Sequence, residues 1–320
     1  MKRIIAITLL IIMVCALLFA FSACDAKRDD RLQIVVTIFP EYDWVMNVLG
    51  ENADWANVTL LLDSGADLHS YQPSVADMVA VAEADLFLYV GGESDDWVPD
   101  ALKNKRNKTL RAMNLLSLLG EKAKAEEIVD GMEQEEECED EEAYDEHVWL
   151  SLKNAAYYVG LIRDELSSLD PDHAEVYEAN AAAYLQKLRA LDLRYEEAVE
   201  GASQNTLLFG DRFPFRYLVD DYDLNYYAAF VGCSASTKAS FETIAFLAGK
   251  VDEYELKVIF KLESSDGSIA ESIKNASQRK NQQILVLDSL QSATKKEYAA
   301  GRPYLAVMES NLTNLQQALA

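Results

Sequence analysis

Three histidines occur among the 320 residues, and two of them stand where their side chains could do chemistry. His69 lies in GADLHSYQPS, residues 65–74, between the apolar run VTLLL and the helix-like run VADMVAVAEA. His147 lies in DEHVWLSLKNA, directly after an acidic stretch and before a predicted helix. Asp211 follows the apolar run TLLFG in LLFGDRFPF, and Asp288 closes QILVLDS. These positions fall at predicted strand ends, and in open α/β sheets ligands collect beyond the carboxyl ends of strands. Two imidazoles with two carboxylates form a nitrogen–oxygen donor set suited to zinc or manganese. Taken singly, each residue also has an ordinary reading: a loop histidine as a packing residue, a strand-end aspartate as a turn or cap residue. His173, in DPDHAEVY, opens a helix and is assigned no ligand role. The chain has no HExxH, no CxxC and no glycine-rich phosphate loop, and GDRFP lacks the GxSxG of a nucleophile elbow.

The elements that must carry these residues alternate. LQIVVTIF reads as a buried strand. PEYDWVMNVLG reads as a helix, with Pro40 suited to its first turn and Gly50 to its stop. VTLLL, SVADMVAVAEA and DLFLYVGG continue the strand–helix–strand pattern of a parallel sheet. NAAYYVGLIRDELSSL is helical, and residues 170–200 form a longer helical pattern with Asp170 as N-cap and Pro171 at its first position. Alternation then resumes: TLLFG, NYYAAFVG, LKVIFKLE and QILVLDS are strands. FRYLVDDYDL, FETIAFLAGKVDEY, GSIAESIKNASQ and PYLAVMESNLTNLQQAL are helices. The expected organisation is an α/β lobe at 32–169, a linking helix at 170–200 and a second α/β lobe at 201–320. No sequence repeat relates the two halves.

The net charge of -25 and pI of about 4.4 argue against a nucleic-acid partner, whose phosphates demand a basic surface, and suit a chain that attracts cations. The acid is concentrated in EQEEECEDEEAYDE, residues 133–146. Such a block repels itself and forms no core. It reads either as a solvated loop or as a cation-attracting flap that runs into His147. At the N-terminus, Lys2 and Arg3 precede the apolar run IIAITLLIIMVCALLFAF, the pattern of a secretory signal over 1–23, although the run is also long enough to span a membrane. Residues 24–31 then form a short charged tether. The ending FSAC resembles a bacterial lipobox, with Phe21 where leucine is usual, which implies cleavage before Cys24 and its lipidation. Cys138 and Cys233 are then the thiols left to form a disulfide outside the membrane.

The segments IVVTIFPEYDWV, GADLHSYQPSVADM, ADLFLYVGG and DEHVWLSLKNA, in that order, resemble the TroA-like metal-binding lipoproteins of bacterial ABC importers for zinc and manganese. The likeness covers about 32–320 and is strongest in the HxYxPS of His69–Ser74 and the HVWLSLKNA from His147. It implies two Rossmann-like α/β lobes joined by one long rigid helix, with the metal in the interlobe cleft, and it places the first and second ligands on His69 and His147. The family's third ligand opens a segment like HDAFGYFAKRYGL. Here that segment is GDRFPFRYLVDDYDL, and an ungapped match puts Arg212 on the ligand position. A guanidinium has no lone pair to give, so Asp211, one residue earlier, is the expected ligand. The fourth ligand is expected at Asp288 of LVLDSL, with Glu263 of FKLESSDG as the alternative.

The resemblance further implies a monomeric receptor outside the cytoplasm, anchored to the cell membrane by lipid, which delivers its ion to a membrane permease and performs no covalent chemistry. Zn2+ is favoured over Mn2+ by the Irving–Williams order and by the placement of the acidic flap. Flaps of that placement in zinc receptors are usually His-rich, whereas this one has no histidine before His147. Two other functions use the same features: a metallohydrolase with an open coordination position and a general base, and an adhesin whose fold persists without metal. No dedicated base stands near the four ligands in sequence, which disfavours the enzyme.

Overall fold

A computed structural model of the chain describes residues 29–51, 53–133, 143–234 and 238–320. The signal segment, Cys24, Cys138 and most of the acidic flap lie outside the described residues. No described helix is long and apolar enough to cross a membrane.

The first lobe opens with β1 (Leu32–Val36), whose Ile34, Val35 and Val36 are all buried. The chain turns at once into α1 (Phe39–Leu49), where the Glu41 carboxylate accepts the backbone N–H groups of Thr37 and Ile38. Gly50 ends the helix at a φ of 83°, a conformation other residues rarely adopt. Next come β2 (Ala56–Leu60), α2 (Val75–Glu83), β3 (Leu86–Tyr89), α3 (Val98–Lys103), β4 (Arg111–Asn114) and α4 (Leu115–Leu119). Ser74 and Asp77 exchange side-chain bonds with each other's backbone N–H at the start of α2, a capping box. The four strands are parallel, in the order β2-β1-β3-β4.

Two helices leave this lobe: α5 (Leu152–Leu169) and α6 (Ala174–Glu200). The 27 residues of α6 span about 40 Å at 1.5 Å per residue. The chain is helical from Pro171, with Asp170 at the N-cap position as expected, and its first turn, residues 171–173, is 3-10. Asp170 makes no side-chain cap bond there; its carboxylate accepts from Tyr177 Oη at 2.6 Å and meets His173 Nδ1 at 2.7 Å. The second lobe comprises β5 (Thr206–Phe213), α7 (Arg216–Asp221), β6 (Asn225–Val231), α8 (Phe241–Glu253), β7 (Val258–Lys261), α9 (Ser268–Ala276), β8 (Gln283–Val286), α10 (Lys295–Ala299) and α11 (Tyr304–Leu319). Its sheet is also parallel, in the order β6-β5-β7-β8. Each order reverses beside its first strand, so each sheet has a crevice at its carboxyl edge.

One hydrophobic core runs through both lobes. It takes Trp44, Phe87 and Tyr158 from the first, Tyr177, Leu188 and Tyr195 from α6, and Phe209, Phe260, Tyr304 and Leu315 from the second. Polar bonds inside it cross the seam. Trp149 Nε1–H donates to Ser289 O at 2.8 Å, Tyr304 Oη–H donates to Trp149 O at 2.7 Å, and Tyr184 Oη–H donates to Asp43 at 2.7 Å. A smaller cluster, including Leu208, Phe230, Leu247, Val251 and Ile273, covers the outer face of the second sheet beneath α8 and α9.

Several acids are folded into this interior. Burial raises Glu41 to about 8, with the Asp95 charge adding to it. Burial raises Asp95 to about 7 and Asp43 to about 6. In the unfolded chain these carboxyls release their protons near pH 4. Unfolding at neutral pH therefore releases protons, and stability falls as pH rises through each folded value. Metal-free protein should accordingly melt at a higher temperature at pH 6.5 than at pH 8, measured by calorimetry with a chelator present. A melting point that is flat or falls on acidification across that window would contradict the raised values of Glu41 and Asp95.

Candidate metal centre

The two histidines predicted from the sequence are brought face to face at the carboxyl edges of the sheets. His69 follows β2 in a 3-10 turn, and Asp67 holds that turn by accepting the His69 N–H at 3.0 Å. His147 is wholly buried and precedes the 3-10 turn that leads into α5. The rings meet edge to face, with the two Nε2 atoms 3.1 Å apart.

Each ring is held by its other nitrogen. His69 Nδ1 lies 2.9 Å from Ser94 Oγ, and His147 Nδ1 lies 3.1 Å from Asp145 Oδ1. A carboxylate accepts only, so His147 donates from Nδ1 and keeps a lone pair on Nε2. Ser94 in turn donates its N–H to Glu146 Oε1 at 2.9 Å. This is the arrangement in which outer partners orient metal-binding imidazoles. Glu146 Oε2 is buried without a hydrogen-bond partner, 3.6 Å from His69 Nδ1.

The electrostatics favour a cation. Burial lowers the His69 pKa to about 3, and the neighbouring His147 and Arg212 charges push the same way. His147 is also opposed by burial, yet the charges of Asp145, Glu146 and Glu126 and the Asp145 hydrogen bond raise it overall. Burial raises Glu146 and Glu126 in turn. Three carboxylates thus crowd the imidazole pair, and a divalent ion would offset their mutual repulsion.

Among the described residues, the one group of three donors close enough to share an ion is His69, His147 and Cys233, whose ligand atoms all lie within 4.8 Å of one another. Cys233 was not among the metal ligands expected from the sequence. It is a free thiol among the described residues, and Cys138, with which a disulfide is expected, lies outside them. Its N–H donates to Glu126 at 3.2 Å, and burial together with the Glu126 charge pushes the thiol well above its ordinary range. The Gln291 amide is a second unforeseen neighbour, hydrogen-bonded to His147 Nε2. The signal for both was present: Cys233 comes just after the strand NYYAAFV, and Gln291 just after QILV.

The expected third and fourth ligands stand apart from this group. Asp211 does not follow β5 but lies within it, beside a bulge between Phe209 and Arg212. Its two oxygens accept the N–H groups of Arg212 at 2.9 Å and Leu262 at 3.1 Å. Arg212 bonds Asp67 at 2.7 Å, linking the second lobe to the turn that carries His69. Asp288 accepts from Arg302 at 2.6 Å and from Leu290 N–H at 2.9 Å. Glu263 accepts both the N–H and the hydroxyl of Ser289 at 2.8 Å. Asp288, Glu263 and Arg302 line a separate cavity of about 210 Å³. His173, given no ligand role, stacks on Trp55 at 4.0 Å between ring centroids.

Gly232 makes the close approach possible. A Cβ there would lie 2.9 Å from His147 Cε1 and 2.9 Å from Phe213 O. Gly232→Ala should therefore displace the His147 ring and destabilise the fold by about 1–3 kcal/mol, the usual cost of an inserted methyl in a packed site. Denaturant unfolding checks this, and an unchanged midpoint would show that the loop yields freely.

Two parallel-sheet α/β lobes are thus bridged by one long helix, with the two imidazoles converging at the seam. The chain belongs to the family described as zinc-uptake complex component A, periplasmic (ZnuA), whose model matches residues 34–318. It is similar to the zinc-binding lipoprotein AdcA of Streptococcus pneumoniae, with 34% identity over 314 residues covering 97% of this chain and 60% of that protein. It is 28% identical to the high-affinity zinc uptake system protein ZnuA of Bacillus subtilis, over 99% of this chain and 96% of that one. Among solved structures, the Zn(II)-bound ZnuA-like domain of Streptococcus pneumoniae AdcA superposes with a TM-score of 0.70 at 31% identity, covering 90% of this chain and 99% of that domain. The chain spans 60% of the length of the streptococcal AdcA proteins it matches.

Proposed function

We propose that the protein is the extracytoplasmic receptor of a metal ABC importer. It takes one divalent ion as cargo, zinc ahead of manganese, and hands it to a permease in the membrane. It binds and releases the ion without covalent chemistry. His69 and His147 hold the cargo through Nε2. The observation that carries this reading is the convergence of the two Nε2 atoms at 3.1 Å while both Nδ1 atoms are engaged elsewhere. Membership of a family of periplasmic zinc-uptake components supports both the cargo and the location. Cys24 of the FSAC motif is the proposed lipid attachment, and the receptor is proposed to act as a monomer. The acidic residues 134–142, outside the described structure, would raise the local concentration of cations at the site.

Elemental analysis of protein purified without added metal, followed by calorimetric titration of the stripped protein with zinc and manganese, tests the reading. Stoichiometric zinc and tighter binding of zinc than manganese are expected. Protein that retains no metal and takes up neither ion on titration would refute it.

A further inference from the structure

We infer that Cys233 supplies the third protein donor to the cargo ion, so that the centre is a two-histidine, one-thiolate site rather than one completed by Asp211. The inference rests on the function proposed above and names the chemistry of that same site. Donor atoms on one tetrahedral zinc, with bonds of about 2.0–2.1 Å to nitrogen and 2.3 Å to sulfur, stand roughly 3.5 Å apart. Cys233 Sγ and the histidine nitrogens already lie within 4.8 Å of one another, and the two Nε2 atoms are 3.1 Å apart. Shifts on the order of 1 Å would close such a group around an ion. The backbone brings the thiol there by design of the turn. Gly232 lets the chain after β6 press against His147, and the next residue is Cys233.

The alternatives on β5 are occupied. Both Asp211 oxygens accept backbone N–H groups, and Arg212 is tied to Asp67. Among the described residues, Cys233 is in no disulfide. Glu126, whose carboxylate accepts the Cys233 N–H, stands beside the thiol. Metal binding requires the thiolate, so the thiol proton leaves as the ion enters. A soft thiolate in the donor set also gives the site a basis for preferring zinc to manganese, whose usual ligands are oxygens.

The test uses the whole chain with cobalt(II) as a spectroscopic substitute for zinc. The parent protein should show a thiolate-to-cobalt charge-transfer band in the near ultraviolet. The band should persist in Cys138→Ser and vanish in Cys233→Ser. Zinc should also protect one thiol of the Cys138→Ser protein from alkylation. Cys233→Ser should bind zinc more weakly by more than the roughly 10–100-fold typical of changes in outer partners. Cys233→Asp should narrow the gap between zinc and manganese. If the parent binds cobalt and zinc but shows no sulfur band, and Cys233 is alkylated equally fast with and without zinc, this inference fails while the proposed function stands. If the parent binds neither ion, both fail. The parent spectrum and alkylation rates decide the matter even where a variant misfolds.

Discussion

Replacing His147 with alanine is expected to reduce zinc affinity more than about 100-fold, beyond the 10–100-fold loss that removal of an outer partner causes. His147 contributes the lone pair fixed by Asp145, and it sits at the centre of the group, close to His69, Gln291 and the Gly232 turn. His69→Ala should match it. Asp145→Asn should fall within the 10–100-fold range, since the ring keeps its place but loses its charged acceptor. His173→Ala should bind zinc like the parent, because that ring stacks on Trp55 and bonds Asp170, away from the pair. Binding should also weaken with acidification, as the imidazoles must be neutral to coordinate. His147, whose charged form is favoured by Asp145, should be the first to release the ion as pH falls. Titration calorimetry of the four variants checks the order; equal losses in all three alanine variants would remove the histidine pair from the site.

Trp149→Ala should destabilise the metal-free protein by about 3–5 kcal/mol, the range for deleting a large buried aromatic. The Trp149 side chain is fully buried, its ring lies 5.2 Å from that of His147, and its Nε1–H donates across the seam to Ser289 O. Its own carbonyl accepts from Tyr304. Trp149→Phe should cost less, because it keeps most of the packing; it gives up the hydrogen bond and leaves Ser289 O without that donor. Urea unfolding monitored by circular dichroism measures both. An alanine variant within 1 kcal/mol of the parent would mean that the seam around Trp149 contributes little to cohesion.

The long, strongly patterned elements were legible in the sequence. β1, α1, β3, α5, β6, α8 and α11 carry enough apolar residues at helix or strand spacing to declare themselves. The short ones were not. β4 is only Arg111–Asn114, and two of its four residues are polar, so it becomes a strand through pairing with β3 rather than through its own pattern. The helical run from Pro171 was legible, but not its 3-10 first turn, where the Asp170 carboxylate bonds a tyrosine hydroxyl and an imidazole instead of backbone N–H groups. At the candidate site, His69 and His147, singled out by their motifs and placement, are brought together. Asp211, expected just past a strand, lies within β5 beside a bulge and accepts backbone N–H groups, a placement that the short apolar run TLLFG did not reveal. Cys233 sits just after β6 and so carries a strand-end signal, but linear spacing does not say which strand ends converge across two lobes.

The division of the interior into one large core and one small outer cluster has a consequence for hydrogen exchange. Regions that share packing open together, and those with separate packing open independently and more readily. The amides of α8 and α9, above the small cluster, should exchange by a local opening that leaves the histidine pair intact. Those of α5 and α6 should wait for global unfolding. A bound ion stabilises by about 4 kcal/mol when present at a thousand times its Kd, and it does so only against openings that break its site. Zinc should therefore slow exchange in α5 and α6 while leaving α8 and α9 nearly unchanged, so the ion's contribution would be written unevenly over a single polypeptide.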